Sequence, residues 1–222
     1  MLSDSIFYTL PNATDIQKAV IMLHGYSSNG DDLIGLAPYL AKSHPNTIFY
    51  APNAPFETPI GYKWFDLDEY VAGTIYEQFD YLNILMKRAK PVLSTIFEFI
   101  QFIAQKHNLN SNQITLMGFS QGGLLALMTG LLYKDKLSGI IGCSAVPVAI
   151  NEALTLDEVK NKPTVLLTHG TDDDVVPYIA MQISQNTLKN IGCDVQTHIV
   201  YGMGHQIDET SLDKISEFLL KN

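Results

Sequence analysis

Residues 114–128, ITLMGFSQGGLLALM, decide how this chain is read. A short apolar run enters Gly118-Phe119-Ser120-Gln121-Gly122, and Gly123 then leads into small and apolar residues of helical length. The pattern is a strand that turns sharply into a helix with a serine at the bend. Such a bend holds the serine in a strained conformation with its hydroxyl exposed, and the glycines remove Cβ atoms that would clash. The helix that follows points its positive end, and the free N–H of Gln121, toward developing negative charge. An ordinary serine on a glycine-rich turn would show the same G-x-S-x-G spacing. The strand before it and the helix after it favour the nucleophile. A phosphate cradle is disfavoured, because neither a P-loop Lys-[Ser/Thr] nor G-x-G-x-x-G accompanies these glycines.

Outward from this stretch, short apolar runs alternate with longer amphipathic ones. Strands are expected at 19–24, 47–51, 114–119, 138–143, 164–169 and 195–201, with SIFYT (5–9) as an extra edge strand. Most lack strict alternation, which suits strands buried on both faces of a parallel sheet. Helices are expected near 31–43, 77–107, 121–134, 178–191 and 208–221, the second divided or kinked at Pro91. In the last, Leu212, Ile215, Phe218 and Leu219 repeat at the spacing of a sheet-packing face. Strand and helix in alternation predict an α/β fold, a mostly parallel central sheet with helices on both faces. In such folds, sites form in loops leaving the carboxyl ends of strands.

A serine needs a base. Of six histidines, His44 and His107 fall at expected helix C-terminal ends, where a surface position and an interaction with the helix dipole are the ordinary explanation, and His198 falls inside a strand, where packing or edge exposure is. His24 and His169 each end a strand before a glycine, where a local hydrogen bond ordering the loop is the simpler expectation. His205 differs, because it lies in YGMGH (201–205), between the last strand and the last helix. The order serine, acid, histidine, each after a successive strand, is that of hydrolases built on this fold. HGTDDDVVP (169–177) supplies the acid, which would hold the imidazole's tautomer and stabilise its protonated form. Chemistry alone does not choose among Asp172, Asp173 and Asp174. One oxyanion donor is expected to be the N–H of Gln121. The other is the N–H of Tyr26, in the loop after the early strand VIMLHGYSSNGDD (20–32).

Length and composition agree with a compact protein, read here as one domain over 1–222. Apolar residues make up 46% and charged residues 17%, unlike a disordered chain. A net charge of −9 and the absence of a basic, aromatic-studded stripe disfavour nucleic acid as a partner. The N-terminus has no basic region followed by a long apolar one, and no apolar run is long enough to span a bilayer. A cytoplasmic location is the expectation. Cys143 and Cys193 form neither a disulfide framework nor a zinc pattern and are expected as reduced, mostly buried thiols.

In combination, LHGYSSNGDDL, APNAP, WFDL, GFSQGG, HGTDDDVVP and GMGH resemble the acyl-protein thioesterase and small carboxylesterase (phospholipase/carboxylesterase) family of α/β hydrolases. The resemblance runs in order along nearly the whole chain. It implies an α/β-hydrolase fold without a large lid that cleaves carboxylic esters or thioesters with no cofactor and no metal. Implied substrates are small acyl esters, lysophospholipids or acylated proteins, and the resemblance allows a homodimer and transient contact with a membrane surface. Residue by residue, it implies Ser120 as nucleophile, His205 as base, Asp173 as acid, and Tyr26 and Gln121 as oxyanion donors. WFDL implies Trp64 and Phe65 beside the substrate pocket, with plain core aromatics an equal alternative. Two positions depart from the family pattern. Ser27 stands where HG-x-G usually has its second glycine, and Asp174 stands where a proline is frequent.

Two other classes compete. A metal-dependent hydrolase could use His24, Asp31, Asp32, His169 and the three aspartates, but no H-x-H or HExxH spacing accompanies them and Ser120 would go unexplained. A catalytically inactive hydrolase fold used for binding would not need serine, acid and histidine all present.

Overall fold

The computed structural model describes residues 2, 5–13, 15–67 and 75–222, the side chains of 75–79 excepted. Its main sheet contains β1 (Ser5–Tyr8), β2 (Lys18–Leu23), β3 (Thr47–Pro52), β6 (Ile114–Phe119), β7 (Gly139–Cys143), β8 (Thr164–Gly170) and β9 (Asp194–Val200). The strand order is β1-β3-β2-β6-β7-β8-β9. Only β1 is antiparallel, against β3; the other neighbours run parallel. A separate hairpin joins β4 (Phe56–Thr58) to β5 (Gly61–Lys63), and no apolar periodicity foreshadows it; Pro59 and Gly61 are its local signal.

The helices are α1 (Gly30–Ile34), α2 (Ala37–Ala41), α3 (Ile75–Ala89), α4 (Leu93–His107), α5 (Gln121–Leu132), α6 (Ile179–Asn190) and α7 (Glu209–Lys221). The long helical stretch divides at Lys90–Val92, a single 3-10 turn around Pro91, because proline has no N–H to continue the ladder. The expected helix at 31–43 is two short ones. The first begins where Asn29 caps Asp32 N–H, and the carboxylates of Asp31 and Asp32 lie in its first turn.

The strands sort their side chains by alternation. Ala19, Ile21 and Leu23 face one core with Ile48, Leu116, Ile140 and Val165, covered by α3, α4, α5 and α6. Val20 and Met22 face the other with Phe49, Met117, Ile141 and Leu166, covered by α1, α2 and α7. Central strands are buried on both sides, which is why their sequences read as continuous apolar runs. The edge strands β1 and β9 are only partly buried, and they carry the more mixed sequences. α5, at the centre of the first core, is buried almost all round. Among the described residues, no helix is long and apolar enough to cross a membrane.

Parallel register brings the strand ends to one edge. Leu23 lies beside Gly118, Phe119 beside Cys143, and Cys143 beside Thr168. The loops carrying Tyr26, Ser120, the aspartates and His205 therefore all leave from the same side of the sheet.

Candidate active site

Ser120 occupies the bend between β6 and α5 with φ 54° and ψ −116°. Its N–H donates to Cys143 O at 3.0 Å, and its carbonyl accepts from Gly123 N and Val146 N, so the strained backbone is held from both sides. The bend tolerates no extra atoms. A Cβ on Gly118 would overlap the carbonyl of Gly122, and a Cβ on Gly122 would overlap that of Leu23. These two glycines allow the helix start to press onto β2 and β6. The seryl residue itself is 9% exposed.

Asp173 and His205 meet. Nδ1 of His205 donates to Asp173 Oδ2 at 2.8 Å, which leaves Nε2 without a protein partner among the described residues. The ring packs at a tilt against Phe119, the neighbour of Ser120, with centroids 4.7 Å apart. The loop bearing His205 is pinned to the acid loop: Asp172 N–H donates to Met203 O, and Gly202 N–H donates to Thr171 Oγ1. Asp173 is buried while Asp172 and Asp174 are exposed. Its Oδ1 accepts from the N–H groups of Val175 and Val176 at 3.1 and 2.8 Å. Oδ2 lies 3.3 Å from Nε2 of His169 in addition to the His205 contact. Burial alone would raise this carboxyl, but the His205 hydrogen bond, the Val176 N–H and the two nearby imidazoles outweigh it. The result is an acid held below the ordinary carboxylate range. Asp172 is engaged instead by Thr171 Oγ1 at the surface.

The contact from His169 to the acid has no distinctive sequence signal beyond a His-Gly pair at a strand end. Its Nε2–H donates to Val176 O at 2.8 Å, as a local loop-ordering bond. His24 behaves likewise. Nδ1 donates to Gly25 O at 2.7 Å, and Nε2 accepts from Ala54 N at 3.0 Å. Of the others, His107 pairs with Tyr50 Oη, and His198 with Thr210 Oγ1. His44 is buried against α7, beside Ser216 Oγ, rather than at the surface, because α7 folds back over the end of α2. Among the described residues, no three His, Cys, Asp or Glu side chains gather as a metal-ligand set. Burial pushes the Cys143 and Cys193 thiols up to about 12 and about 11, leaving them protonated and unreactive.

The early loop brings Gly25 against Ser120: a Cβ built there would lie 3.3 Å from Ser120 Cβ. Tyr26 follows, partly exposed, and Ser27 adopts φ 59°, the left-handed conformation its glycine counterpart would take freely. Gln121 begins α5 and is 1% exposed, so its backbone N–H lies at the helix's positive end. Trp64 and Phe65 are buried in the core, and both touch Gln121 through their backbones.

Three buried imidazoles, those of His24, His44 and His169, are pushed down by burial and make stability sensitive to acid. Burial pushes His24 down, against smaller upward pulls from the Gly25 carbonyl and Asp32. It also pushes His169 down, against Val176 O and Asp173. Below the ordinary histidine value of about 6.5, the unfolded chain binds protons that the native chain refuses, so native stability falls as pH drops through that window. Asp173 adds a further loss at lower pH, as its depressed carboxyl finally protonates. The melting temperature should be flat from pH 8 to 7 and decline from about pH 6.5 downward, by about 2–4 °C for each kcal/mol lost. Scanning calorimetry from pH 8 to 5 measures this, and a level Tm throughout would contradict it.

The phospholipase/carboxylesterase family matches residues 6–222. The chain is 26% identical to acyl-protein thioesterase 1 of Gibberella zeae, over 95% of this chain and 93% of that one. The crystal structure of esterase PE8 superposes with a TM-score of 0.87 at 34% identity, covering 98% of this chain and 97% of that one. That of Arabidopsis thaliana SOBER1 gives a TM-score of 0.77 at 25% identity, covering 92% and 98%.

Proposed function

The chain belongs to the phospholipase/carboxylesterase family of α/β hydrolases, and from that premise we propose that it cleaves esters or thioesters through an acyl-enzyme on Ser120. The observation that carries this reading is the 2.8 Å bond from His205 Nδ1 to a buried Asp173, with the His205 ring against Phe119, the residue before the strained serine bend. With the proton on Nδ1, Nε2 is the free acceptor that a seryl hydroxyl requires. Ser120 Oγ gives its proton to Nε2 as it attacks the acyl carbon, and the carbonyl electrons move onto oxygen. The N–H groups of Tyr26 and Gln121 receive that oxyanion. Nε2–H then protonates the departing alcohol or thiol, and water reverses the sequence to release the acid. Asp173 stays ionised throughout and stabilises the imidazolium.

The apolar character of the rim suggests what the acyl group is. Tyr26 at 38% and Val175 at 64% exposure stand on the oxyanion and acid loops, and Phe56 and Ile60 on the adjoining hairpin are exposed as well. An uncharged acyl chain fits such a rim better than a charged one. A lysophospholipid or an acylated protein would present one, and Trp64 and Phe65 would support that rim from behind rather than line it. Each methylene buried in the transition state contributes about 0.8 kcal/mol. Accordingly, kcat/KM across p-nitrophenyl esters should climb by up to about 15-fold per added pair of carbons from acetate to octanoate, with a palmitoyl thioester also turned over. Chelators should leave all of these rates unchanged. A sharp optimum at acetate would exclude long-chain deacylation, and chelator-sensitive turnover would overturn the serine mechanism.

A further inference from the structure

The two oxyanion donors come from loops far apart in the sequence, and something must hold their spacing. Both ends of the Gln121 side chain are engaged. Oε1 accepts from Trp64 N at 3.0 Å, and Nε2 donates to Phe65 O at 2.9 Å. The amide can be oriented only one way, since one partner is a donor and the other an acceptor. The same tryptophan reaches the opposite loop, where its Nε1–H donates to His24 O at 2.9 Å. The His24 ring packs on the indole at 5.4 Å and ties Gly25 O to Ala54 N–H. Beyond Tyr26 the same segment returns, with Tyr62 N–H donating to Ser28 O at 2.7 Å and Gly61 pressed against the carbonyls of Ser27 and Ser28. Gln121, Trp64 and His24 are all 1% exposed or less. A buried polar network of this kind specifies one geometry, because each broken bond strands a group away from water.

We propose that the side chains of Gln121, Trp64 and His24, joined through residues 54–65, form a brace that sets the separation and aim of the Tyr26 and Gln121 N–H groups. They are positioning residues for oxyanion stabilisation, and the WF pair is a strap between two loops rather than a wall of the acyl pocket. The inference rests on Ser120 being the nucleophile. It extends that reading by assigning work to side chains that touch no substrate.

The test uses Gln121→Met, of similar length but without the amide, and Trp64→Phe, which removes the indole N–H together with part of the bicyclic ring but keeps a buried aromatic. Turnover of p-nitrophenyl butyrate is measured per active site, counted by fluorophosphonate titration. Inhibition by an alkyl trifluoromethyl ketone, whose adduct needs the oxyanion donors, is measured beside it. Gln121→Met should lower kcat about 10- to 100-fold with KM within about threefold, below the full loss typical of deleting a donor. Its trifluoromethyl ketone Ki should weaken by a similar factor, and the pH–rate profile should not move. Trp64→Phe should show the same signature at smaller size, and it decides the matter if Gln121→Met fails to fold. A kcat per site within threefold of the parent in the folded variants, or a loss confined to KM with Ki unchanged, overturns the brace. Ser120→Ala is the parallel control. If it is inactive while the brace variants match the parent, only the brace fails; if it retains turnover, the serine reading fails and the brace with it.

Discussion

Ser120→Ala should remove turnover almost completely, by about 10⁶ in kcat, while leaving the fold intact. The two halves of this expectation have separate causes. Alanine keeps the Cβ and so inherits the same backbone conformation at φ 54°, supported by the same bonds to Cys143 and Val146. The bend, the helix start and the packing behind it should survive, and Tm should move by no more than about 2 °C. What disappears is the one oxygen able to form the acyl-enzyme. The rate that remains, about 10³- to 10⁴-fold over water, would come from oxyanion donors and binding alone. Fluorophosphonate labelling followed by peptide mass mapping should find Ser120 in the parent and nothing in the variant. Ester hydrolysis that persisted in Ser120→Ala and then vanished with a chelator would replace the serine mechanism by a metal-dependent one.

Asp173→Asn should cost about 10⁴ in kcat, whereas Asp172→Asn and Asp174→Asn should stay within about threefold of the parent. Both carboxylate oxygens of Asp173 accept hydrogen bonds, Oδ1 from two backbone N–H groups and Oδ2 from His205, while the His169 ring lies 3.3 Å from Oδ2. An amide at this position keeps its oxygen toward Val175 and Val176. Its NH₂ then faces His205 Nδ1. That nitrogen must become the acceptor, the imidazole proton moves to Nε2, and Nε2 can no longer take a proton from the serine. The second N–H of the amide points at the Nε2–H of His169, which is already committed to Val176 O, so that buried amide hydrogen is left unsatisfied and stability falls by about 1–3 kcal/mol. Neither effect operates at the neighbouring aspartates, which are exposed. Steady-state kinetics and thermal melts on the three single variants check the asymmetry. If Asp172→Asn or Asp174→Asn is the crippling change, the acid has been misassigned.

The bend at Ser120 was legible because its requirements are local. Strand residues, a serine and flanking glycines must be contiguous, and so they appear as one word in the sequence. The parallel sheet was legible for a similar reason, since strands covered on both faces must be continuously apolar. The hairpin Phe56–Lys63 was not, being short and largely exposed, with no periodicity to reveal it. The burial of His44 was hidden because it depends on α7, which lies more than 160 residues later.

For the site, the sequence by itself determined the chemistry on offer: a serine at a strained turn, an acid loop and a histidine loop, in that order along the chain, after β6, β8 and β9. It could not choose among Asp172, Asp173 and Asp174 without the family's register, because three adjacent carboxylates are chemically equivalent on paper. Tertiary structure separates them. The turn after β8 faces only Asp173 inward, where two backbone N–H groups and His205 donate to it, the His169 ring lies beside it, and together they hold it ionised. The same holds for Gln121, whose side chain looks like an ordinary polar residue at a helix start until Trp64 and Phe65 are brought against it. Residue type decides which proton transfers and hydrogen bonds a chain can make. Which of them it does make depends on distances of about 3 Å between atoms far apart along the chain, and only the folded arrangement sets those.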